Sequence, residues 1–273
     1  MSQSADIPRR RSGVDQVFKL ATFNCNSIRT RLDVVLKWLS AHNPDVLCLQ
    51  ETKVQDADFP RESLESAGWH VVFRGDKGYN GVAIVSRAAP KGVVFGFDDA
   101  PPDEARLVRA HFAGVDVLNA YVPQGQAVDS PAFTYKLEWF ARVHRLLEKH
   151  FSPSKPLLWA GDLNVAPEAA DVYDPKHLAG SVCFHPDEHA ALKSALEWGL
   201  VDVFRLRNSE PGQFTFWDYR IPNSVKRNLG WRLDHILATK PLAAKSTRCY
   251  VDRQPRLAER ASDHTFLVAE FDV

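Results

Sequence analysis

Residues 156–167 (PLLWAGDLNVAP) limit the folds open to this chain more than any other stretch. The apolar run 157–160 predicts a strand buried on both faces, and such a strand needs a sheet that is covered on each side. Asp162 and Asn164 follow at once, and in an extended segment their side chains point the same way. The pair indicates either a plain Asx turn or a site that holds a metal, activates a water and donates to an anion. Taken alone, it leaves both readings open.

Polar side chains also mark the ends of five other predicted strands. They are Asn24 and Asn26 after strand 17–23, Glu51 after strand 45–49, Tyr121 after strand 115–120, Asp234 after Leu233, and Asp263 and His264 before the last apolar run. One such strand end would carry little information. Together with Asp162, these acids, amides, phenol and imidazole are typical of an active site that loops assemble on a sheet.

The apolar periodicity alternates between helical and strand spacing. Helices are predicted over 31–42, 132–150 and 187–198. Hairpins are predicted from strands 69–73 and 81–86 and from strands 107–112 and 115–121, and short strands near 201–204, 214–219, 233–238, 247–251 and 265–271. This pattern predicts an α/β fold: a four-layer α/β sandwich in which two packed mixed β-sheets are flanked by helices.

No linker divides the chain, so residues 15–273 are predicted to form one domain. Residues 1–14 are predicted to be a disordered tail, in which three arginines against Asp6 leave a net charge of +2. The whole chain balances 34 basic against 34 acidic residues, so contact with a polyanion must come from local patches.

The cysteines and the apolar segments indicate the cellular compartment in which the protein is expected. Four cysteines lack close-paired spacing, which argues against a four-cysteine zinc site and predicts a reducing, cytoplasmic location. No apolar stretch reaches the roughly 18 residues that a membrane span needs, so no membrane contact is expected. The N-terminus shows no apolar core of a secretory signal.

Eight motifs along the chain resemble those of the exonuclease III family of abasic-site endonucleases, which have the deoxyribonuclease I-like fold of the endonuclease/exonuclease/phosphatase superfamily. They are FNCNSIR at 23–29, LQETK at 49–53, GYNGVAIVSR at 78–87, YVPQG at 121–125, GDLNVAP at 161–167, FTFWDYR at 214–220, GWRLDHIL at 230–237 and SDHTFL at 262–267. The resemblance runs in order from about residue 18 to the end. Ser27 departs from the pattern, because the family usually has glycine there.

Matched position by position, the resemblance implies roles for individual residues. The implied catalytic residues are Tyr121, Asp162, Asn164, Asp234 and His264. The implied metal ligands are Asn24, Glu51, Asp162, Asn164 and Asp263. The implied DNA contacts are Asn26, Arg29, Tyr79, Gln124, Phe216, Trp217, Arg227, Trp231 and Leu233. Among them, Asp162 would handle the attacking water, Asn164 would contact the scissile phosphate, and Phe216, Trp231 and Leu233 would wall a pocket for a base-free deoxyribose.

Elementary chemistry agrees with several of these roles. Glu51 is a suitable anchor for Mg²⁺, which prefers oxygen ligands, with Mn²⁺ as an alternative. No second histidine or cysteine stands at ligand spacing to His264, so an imidazole oriented by Asp234 is the better reading than a zinc ligand. Segment 220–232 holds Arg220, Lys226, Arg227 and Arg232 with no acid. Next to aromatic residues, this is the composition of a loop that follows a nucleic-acid backbone.

The expected protein is therefore a monomeric, Mg²⁺-dependent DNA repair nuclease. It would cut double-stranded DNA 5′ to abasic sites and could act at 3′ ends as a 3′–5′ exonuclease or 3′-phosphodiesterase. The alternative is another phosphoesterase of this fold, of the phosphoinositide phosphatase or sphingomyelinase type, which would lack FTFWDYR followed by GWRLDH. A catalytically dead binding module would have lost at least one of Glu51, Asp162, Asn164 or His264, and none is lost.

Overall fold

The structure is a computed structural model that describes residues 17–273. The tail expected at residues 1–14 lies outside the described residues. Twelve strands are present in that range: β1 Val17–Asn24, β2 Val46–Gln50, β3 His70–Arg74, β4 Val82–Ser86, β5 Lys91–Phe95, β6 Leu107–Phe112, β7 Val115–Tyr121, β8 Leu157–Asp162, β9 Leu200–Asp202, β10 Asp234–Thr239, β11 Ser246–Asp252 and β12 Phe266–Asp272. The helices are α1 Ile28–His42, α2 Arg61–Ser66, α3 Pro131–His150, α4 Pro175–Leu178, α5 Pro186–Glu197, α6 Val203–Arg207 and α7 Lys240–Ala243.

The strands form two six-stranded sheets. The first has the order β11-β12-β1-β2-β4-β3 and the second the order β5-β6-β7-β8-β10-β9. In each sheet one central pair is parallel, β1 with β2 and β7 with β8, and the other pairs are antiparallel. The prediction of two mixed sheets in an α/β sandwich is confirmed.

Successive side chains of a strand point to opposite faces of the sheet, and this alternation explains the four layers. In β1, Leu20 points into the core between the sheets, whereas its neighbour Ala21 points out toward α1. In β8, Leu158 lies between the sheets and Trp159 packs against α3. Because both faces of these central strands are covered, most of their residues are apolar.

The two long helices of the second sheet begin where the sequence places their start signals. The Ser130 side chain accepts a hydrogen bond from Phe133 N and precedes Pro131 at the first turn of α3. At the start of α5, Glu188 accepts from the backbone of His185, which completes a capping box. Helix α5 ends before Gly199, whose φ of 135° favours glycine.

One strand prediction is wrong, and another strand is shorter than predicted. Residues 214–219 form no regular strand, and Phe216 makes only single bridges, to Trp231 and to His264. The strand expected at 201–204 ends at Asp202, because the Asp202 side chain accepts from Phe204 N and Arg205 N and so starts α6. Strand β5 was not predicted. The predicted hairpins β3–β4 and β6–β7 are confirmed.

The strand ends that carry polar residues meet at one edge of the sandwich. Asn24 lies beside Gln50 in the parallel β1–β2 pair. Asp162 lies between Tyr121 of β7 and Asp234 of β10. All four cysteines are buried and free. Within residues 17–273, no helix is long and apolar enough to cross a membrane.

Candidate active site

Asp162 lies at the centre of the polar cluster, and its two oxygens have different partners. Oδ2 accepts from Asn24 Nδ2 at 2.9 Å and lies 3.7 Å from Nε2 of His264. Oδ1 accepts from the backbone N–H of Asn164 at 3.0 Å, which is the Asx turn that the sequence left open. The turn and a functional site are therefore compatible, since the turn occupies one oxygen and leaves the other facing His264.

His264 is held by a second carboxylate. Its Nδ1 lies 2.7 Å from Oδ2 of Asp234, and both residues are buried. Burial alone would lower the pKa of His264, but the carboxylates of Asp234 and Asp162 raise it to about 10. The imidazole is therefore a cation at neutral pH, held by Asp234 and directed at Asp162.

The protonation of Asp162 is set by the same neighbours. Burial raises the pKa of Asp162 to about 7; the charge of His264 opposes this shift and that of Asp234 adds to it. A carboxyl group with a pKa near neutrality can both take and release a proton at working pH, which is the property of a general base.

Glu51 lies on the other side of Asn24. Its Oε1 accepts from Asn24 Nδ2 at 2.7 Å, and its Oε2 lies 2.6 Å from Lys53 Nζ. Burial alone would raise the pKa of Glu51, but Lys53 and Asn24 outweigh it and hold the pKa below its ordinary value. Asn24 thus links the carboxylates of Glu51 and Asp162 through its amide nitrogen.

Tyr121 faces the same carboxylates. Burial, together with the charges of Glu51 and Asp162, raises the pKa of its phenol well above the ordinary value, so the hydroxyl keeps its proton. The Arg106 guanidinium lies over the ring, 4.7 Å from its centroid. Tyr121 can therefore donate a hydrogen bond into the site.

A cavity of about 590 Å³ opens beside these groups. The predicted pocket residues Phe216, Trp231 and Leu233 line it on one side. Arg220 of the predicted basic loop also lines it. The sequence did not identify the remaining lining residues, which are Gln126, Tyr173, Leu178, Val182, Cys183, Asp218 and Ile221. The cavity therefore joins a charged floor to an apolar wall.

The residues expected to contact DNA are spread around this cavity. Gln124 lines it, and Asn26 lies at its border, where Asn26 Nδ2 donates to Asp263 Oδ1 at 3.0 Å. Arg29, Tyr79 and Arg227 are exposed outside the cavity, and their DNA contacts stay predictions.

Two expectations for segment 214–232 need correction. Trp217 is fully buried, and its Nε1 lies 3.3 Å from Asn228 Oδ1, so its ring has no surface with which to contact DNA. Arg232 is also fully buried, and its guanidinium pairs with Asp171 and Asp202. The acids that neutralise Arg232 are distant in sequence, which is why the segment looked more basic than it is.

The donor set fits a hard divalent cation. Glu51, Asp162, Asn164 and Asp263 all present oxygen-bearing side chains to the cavity. Burial raises the pKa of the nearby Cys183 thiol to about 12, so no thiolate competes. Oδ1 of Asp234 is also buried with no hydrogen-bond partner among residues 17–273. Oxygen ligands of this kind suit Mg²⁺ or Mn²⁺ rather than zinc.

The chain is similar to proteins of known activity. Residues 21–264 match the endonuclease/exonuclease/phosphatase family. Exodeoxyribonuclease III from Haemophilus influenzae is 34% identical over 266 residues, which cover 93% of this chain and 99% of that protein. An AP endonuclease from Archaeoglobus fulgidus has a TM-score of 0.92 at 51% identity, covering 94% of this chain and 100% of that chain.

A second solved structure is similar over the same range. It is a 3′ phosphatase from Neisseria bound to product DNA, with a TM-score of 0.88 at 38% identity, covering 94% of this chain and 100% of that chain. The family match spans residues 21–264, which include every predicted site residue, and the three relatives cover 93% to 94% of this chain. The chain therefore belongs to the endonuclease/exonuclease/phosphatase family and, within it, to the exodeoxyribonuclease III family that its motifs resemble.

Proposed function

We propose that this protein is a DNA repair nuclease that hydrolyses the phosphodiester 5′ to an abasic site and leaves a 3′-hydroxyl. We assign to the same site a 3′–5′ exonuclease and 3′-phosphodiesterase activity, with Mg²⁺ as the metal. The observation that carries the proposal is the adjacency of the Asp162, His264 and Asp234 cluster to a cavity with an apolar wall.

The residues of the chain supply most of the chemistry that hydrolysis needs. Asp162, with a pKa of about 7, takes the proton of the attacking water. The cationic His264, held by Asp234, stabilises the negative charge that develops on the phosphate oxygens. Tyr121 donates a hydrogen bond to the same phosphate. Asn164 Nδ2 keeps one N–H on Val122 O and donates to the phosphate with the other, which makes only a long 3.4 Å bond to Asp162 Oδ2 in the free protein.

A divalent metal would be held by the carboxylates at the cavity, with Glu51 as its anchor. When bound, it supplies positive charge next to the phosphate oxygens and the leaving group. Lys53 lies 2.6 Å from Glu51 Oε2, so the chain already places a cation beside this carboxylate. Mg²⁺ is proposed because the ligands are oxygen atoms of carboxylates and amides.

The apolar wall supports the choice of substrate. Phe216, Trp231 and Leu233 belong to one hydrophobic cluster with Val172 and Phe184. A sugar without a base can lie against such a wall, whereas an intact nucleotide brings a bulky base with polar edges that the wall cannot satisfy. Discrimination would then depend on the shape of the pocket.

The test is cleavage of two matched DNA duplexes by the purified protein, one undamaged and one with a single abasic analogue. With Mg²⁺ the abasic duplex is expected to be cut much faster, and a chelator is expected to abolish cleavage. A third duplex that ends in a 3′-phosphate tests the activity at 3′ ends. Equal rates on the abasic and undamaged duplexes would contradict the proposed substrate, and cleavage of neither would contradict the proposed reaction.

A further inference from the structure

A fully buried ion pair lies directly behind the candidate active site. Lys136 of α3 and Glu188 of α5 both have zero exposed side-chain surface, and Lys136 Nζ contacts Glu188 Oε1. A pair of opposite charges in the interior contributes little to stability compared with apolar side chains of the same size, because both charges lose their hydration. Its presence at this place therefore calls for another explanation.

The other contacts of Lys136 supply one. Its Nζ donates to the backbone carbonyl of Asn164 at 2.6 Å and to that of Gln124 at 3.2 Å. An ammonium group has three N–H donors, and with Glu188 Oε1 all three find an oxygen acceptor. The two carbonyls belong to the loops that follow β8 and β7, so one side chain joins both loops.

Asn164 has a backbone conformation that such a restraint stabilises. Its φ is 52°, in the left-handed region that a non-glycine residue adopts only at some cost in free energy. Its Nδ2 donates to Val122 O at 3.0 Å, which ties it again to the loop after β7. The backbone carbonyl held by Lys136 and the side chain that faces the cavity are parts of this one residue.

Glu188 keeps Lys136 in place. Its second oxygen, Oε2, accepts from His185 N at 3.1 Å in the capping box of α5. The carboxylate is thus fixed by a helix start, where a negative charge is favoured. The start of α5 thus fixes Glu188, Glu188 fixes the Lys136 ammonium, and the ammonium fixes the loops after β7 and β8.

We infer that Lys136 is a positioning residue whose ammonium, held by Glu188, sets the backbone of Asn164 and Gln124 relative to the scissile phosphate. Lys136 touches neither DNA nor metal, so its contribution is made through Asn164 and Gln124, and we expect a larger effect on turnover than on the binding of DNA or metal. This inference rests on the proposed function for its kinetic readout. Displacing a reactive group by about 1 Å can reduce a rate by about 100-fold.

Three variants test the inference. The double variant Lys136→Met/Glu188→Gln removes both charges together, while the amide introduced at position 188 can still accept from His185 N. Glu188→Gln alone keeps the ammonium and its bonds to both carbonyls. Arg142→Met is the matched control, because Arg142 is a buried cation of the same helix whose partners are Asp99 and the carbonyl of Pro101.

In the double variant kcat on the abasic duplex is expected to fall roughly 10- to 100-fold, while the Kd for DNA and the half-saturating Mg²⁺ concentration change by less than about threefold. Glu188→Gln, which removes the charge that holds the ammonium but keeps its bonds to both carbonyls, is expected to show a smaller loss of kcat than the double variant. Arg142→Met is expected to lose stability but to keep kcat within about threefold of wild type. Should the double variant not fold, Lys136→Gln, whose neutral side chain is too short to reach both carbonyls, carries the same expectation. A folded Lys136 variant with wild-type kcat would overturn the inference.

Amide hydrogen exchange separates this inference from the proposed function. Exchange at residues 122–126 and 162–166 is expected to be at least about tenfold faster in the double variant than in wild type, and unchanged in Arg142→Met. This readout needs no substrate, so it remains decisive even if the wild-type protein cleaves neither duplex. Unchanged exchange in both loops would also overturn the inference.

Discussion

Asp162 is the single residue whose chemistry the proposed reaction most needs. It is 1% exposed, and each of its oxygens has a protein partner, yet burial still raises its pKa to about 7. A buried aspartate in a purely structural role would be expected to have a closely paired cation that lowers the pKa, whereas the N–H donors of Asn24 and Asn164 do not outweigh burial here. The nearest cation, His264, stays 3.7 Å away.

Replacing Asp162 by Asn should abolish turnover while the protein remains folded. The amide is nearly isosteric with the carboxylate but cannot take a proton from water, so kcat is expected to fall by at least about 100-fold. Binding to an abasic duplex should survive, because a negative charge near the phosphates is removed. Asp116→Asn, at the opposite end of the second sheet, is the control and should match wild type. A parallel loss of DNA binding and turnover would show that Asp162 is structural.

Ser27 is the departure from the family pattern, and the structure shows its consequence. Its φ is 92°, in the region that favours glycine, while its backbone N–H donates to Glu51 O at 2.8 Å. Ser27→Gly should relieve this strain and raise the free energy of unfolding by on the order of 1 kcal/mol, with little change in kcat. Thermal or denaturant unfolding measures it. The control is Ser209→Gly, at a loop residue whose φ is not positive, and it should be neutral or slightly destabilising. A Ser27→Gly variant that is less stable than wild type would contradict the expected relief of strain.

Among the elements, the segment that carries the pocket wall is fixed by a buried network of charges. Arg232 lies between the wall residues Trp231 and Leu233, and its guanidinium donates to Asp171 at 2.6 and 3.0 Å. Its Nη1 lies 2.8 Å from Asp202 at the start of α6. The network thus ties the wall to β9, α6 and the loop after β8.

The pH dependence of stability should report this network. Burial alone would raise the pKa of Asp202, but Arg232 and His235 outweigh it and hold the pKa well below its ordinary value. A carboxyl group with a lowered folded-state pKa stabilises the fold above its unfolded pKa of about 3.9, and this contribution is lost as the pH falls toward the folded value. Asp202→Asn should therefore be about 3 to 5 kcal/mol less stable than wild type at pH 7.

The same comparison at low pH is the critical one. The difference in the free energy of unfolding between Asp202→Asn and wild type should shrink below about pH 4. Asp58→Asn, at an exposed site, should follow the wild-type curve at every pH. A difference that stays constant from pH 7 to pH 3 would mean that the ionised carboxylate of Asp202 does not stabilise the fold.

The wall itself should set substrate choice. Trp231→Ala removes a large part of it, and truncation of a buried aromatic residue costs about 3 to 5 kcal/mol in a closed core and less at an open pocket. The ratio of cleavage rates on abasic and undamaged duplexes should shrink. Trp198→Ala, a partly buried tryptophan at the end of α5, should leave this ratio unchanged. Measuring the ratio at several salt concentrations shows whether contacts to the DNA backbone have changed instead. An unchanged ratio in folded Trp231→Ala would mean that specificity depends on another feature, for example the bending of DNA.

For the molecule as a whole, local sequence patterns predicted the layers and the polar edge but not the interior charges. The ends of β1, β2, β7 and β8 could be foreseen because an apolar run followed by a polar residue marks where a buried strand leaves the sheet. The burial of Lys136 could not be predicted, because a lysine on a helix is normally solvated and its partner Glu188 is 52 residues away in sequence. Trp217 was misread for the related reason that an aromatic residue in a basic segment can face either the core or the solvent.

The position and chemistry of the cut test the central claim most directly. An abasic duplex labelled at the 5′ end of the damaged strand, digested in Mg²⁺ and compared with a size ladder, locates the cut. Extension of the product by a DNA polymerase then reports whether its 3′ end is a free hydroxyl. We expect a cut immediately 5′ to the abasic site and a fully extendable product. A cut on the 3′ side, or a product that the polymerase cannot extend, would contradict the central claim.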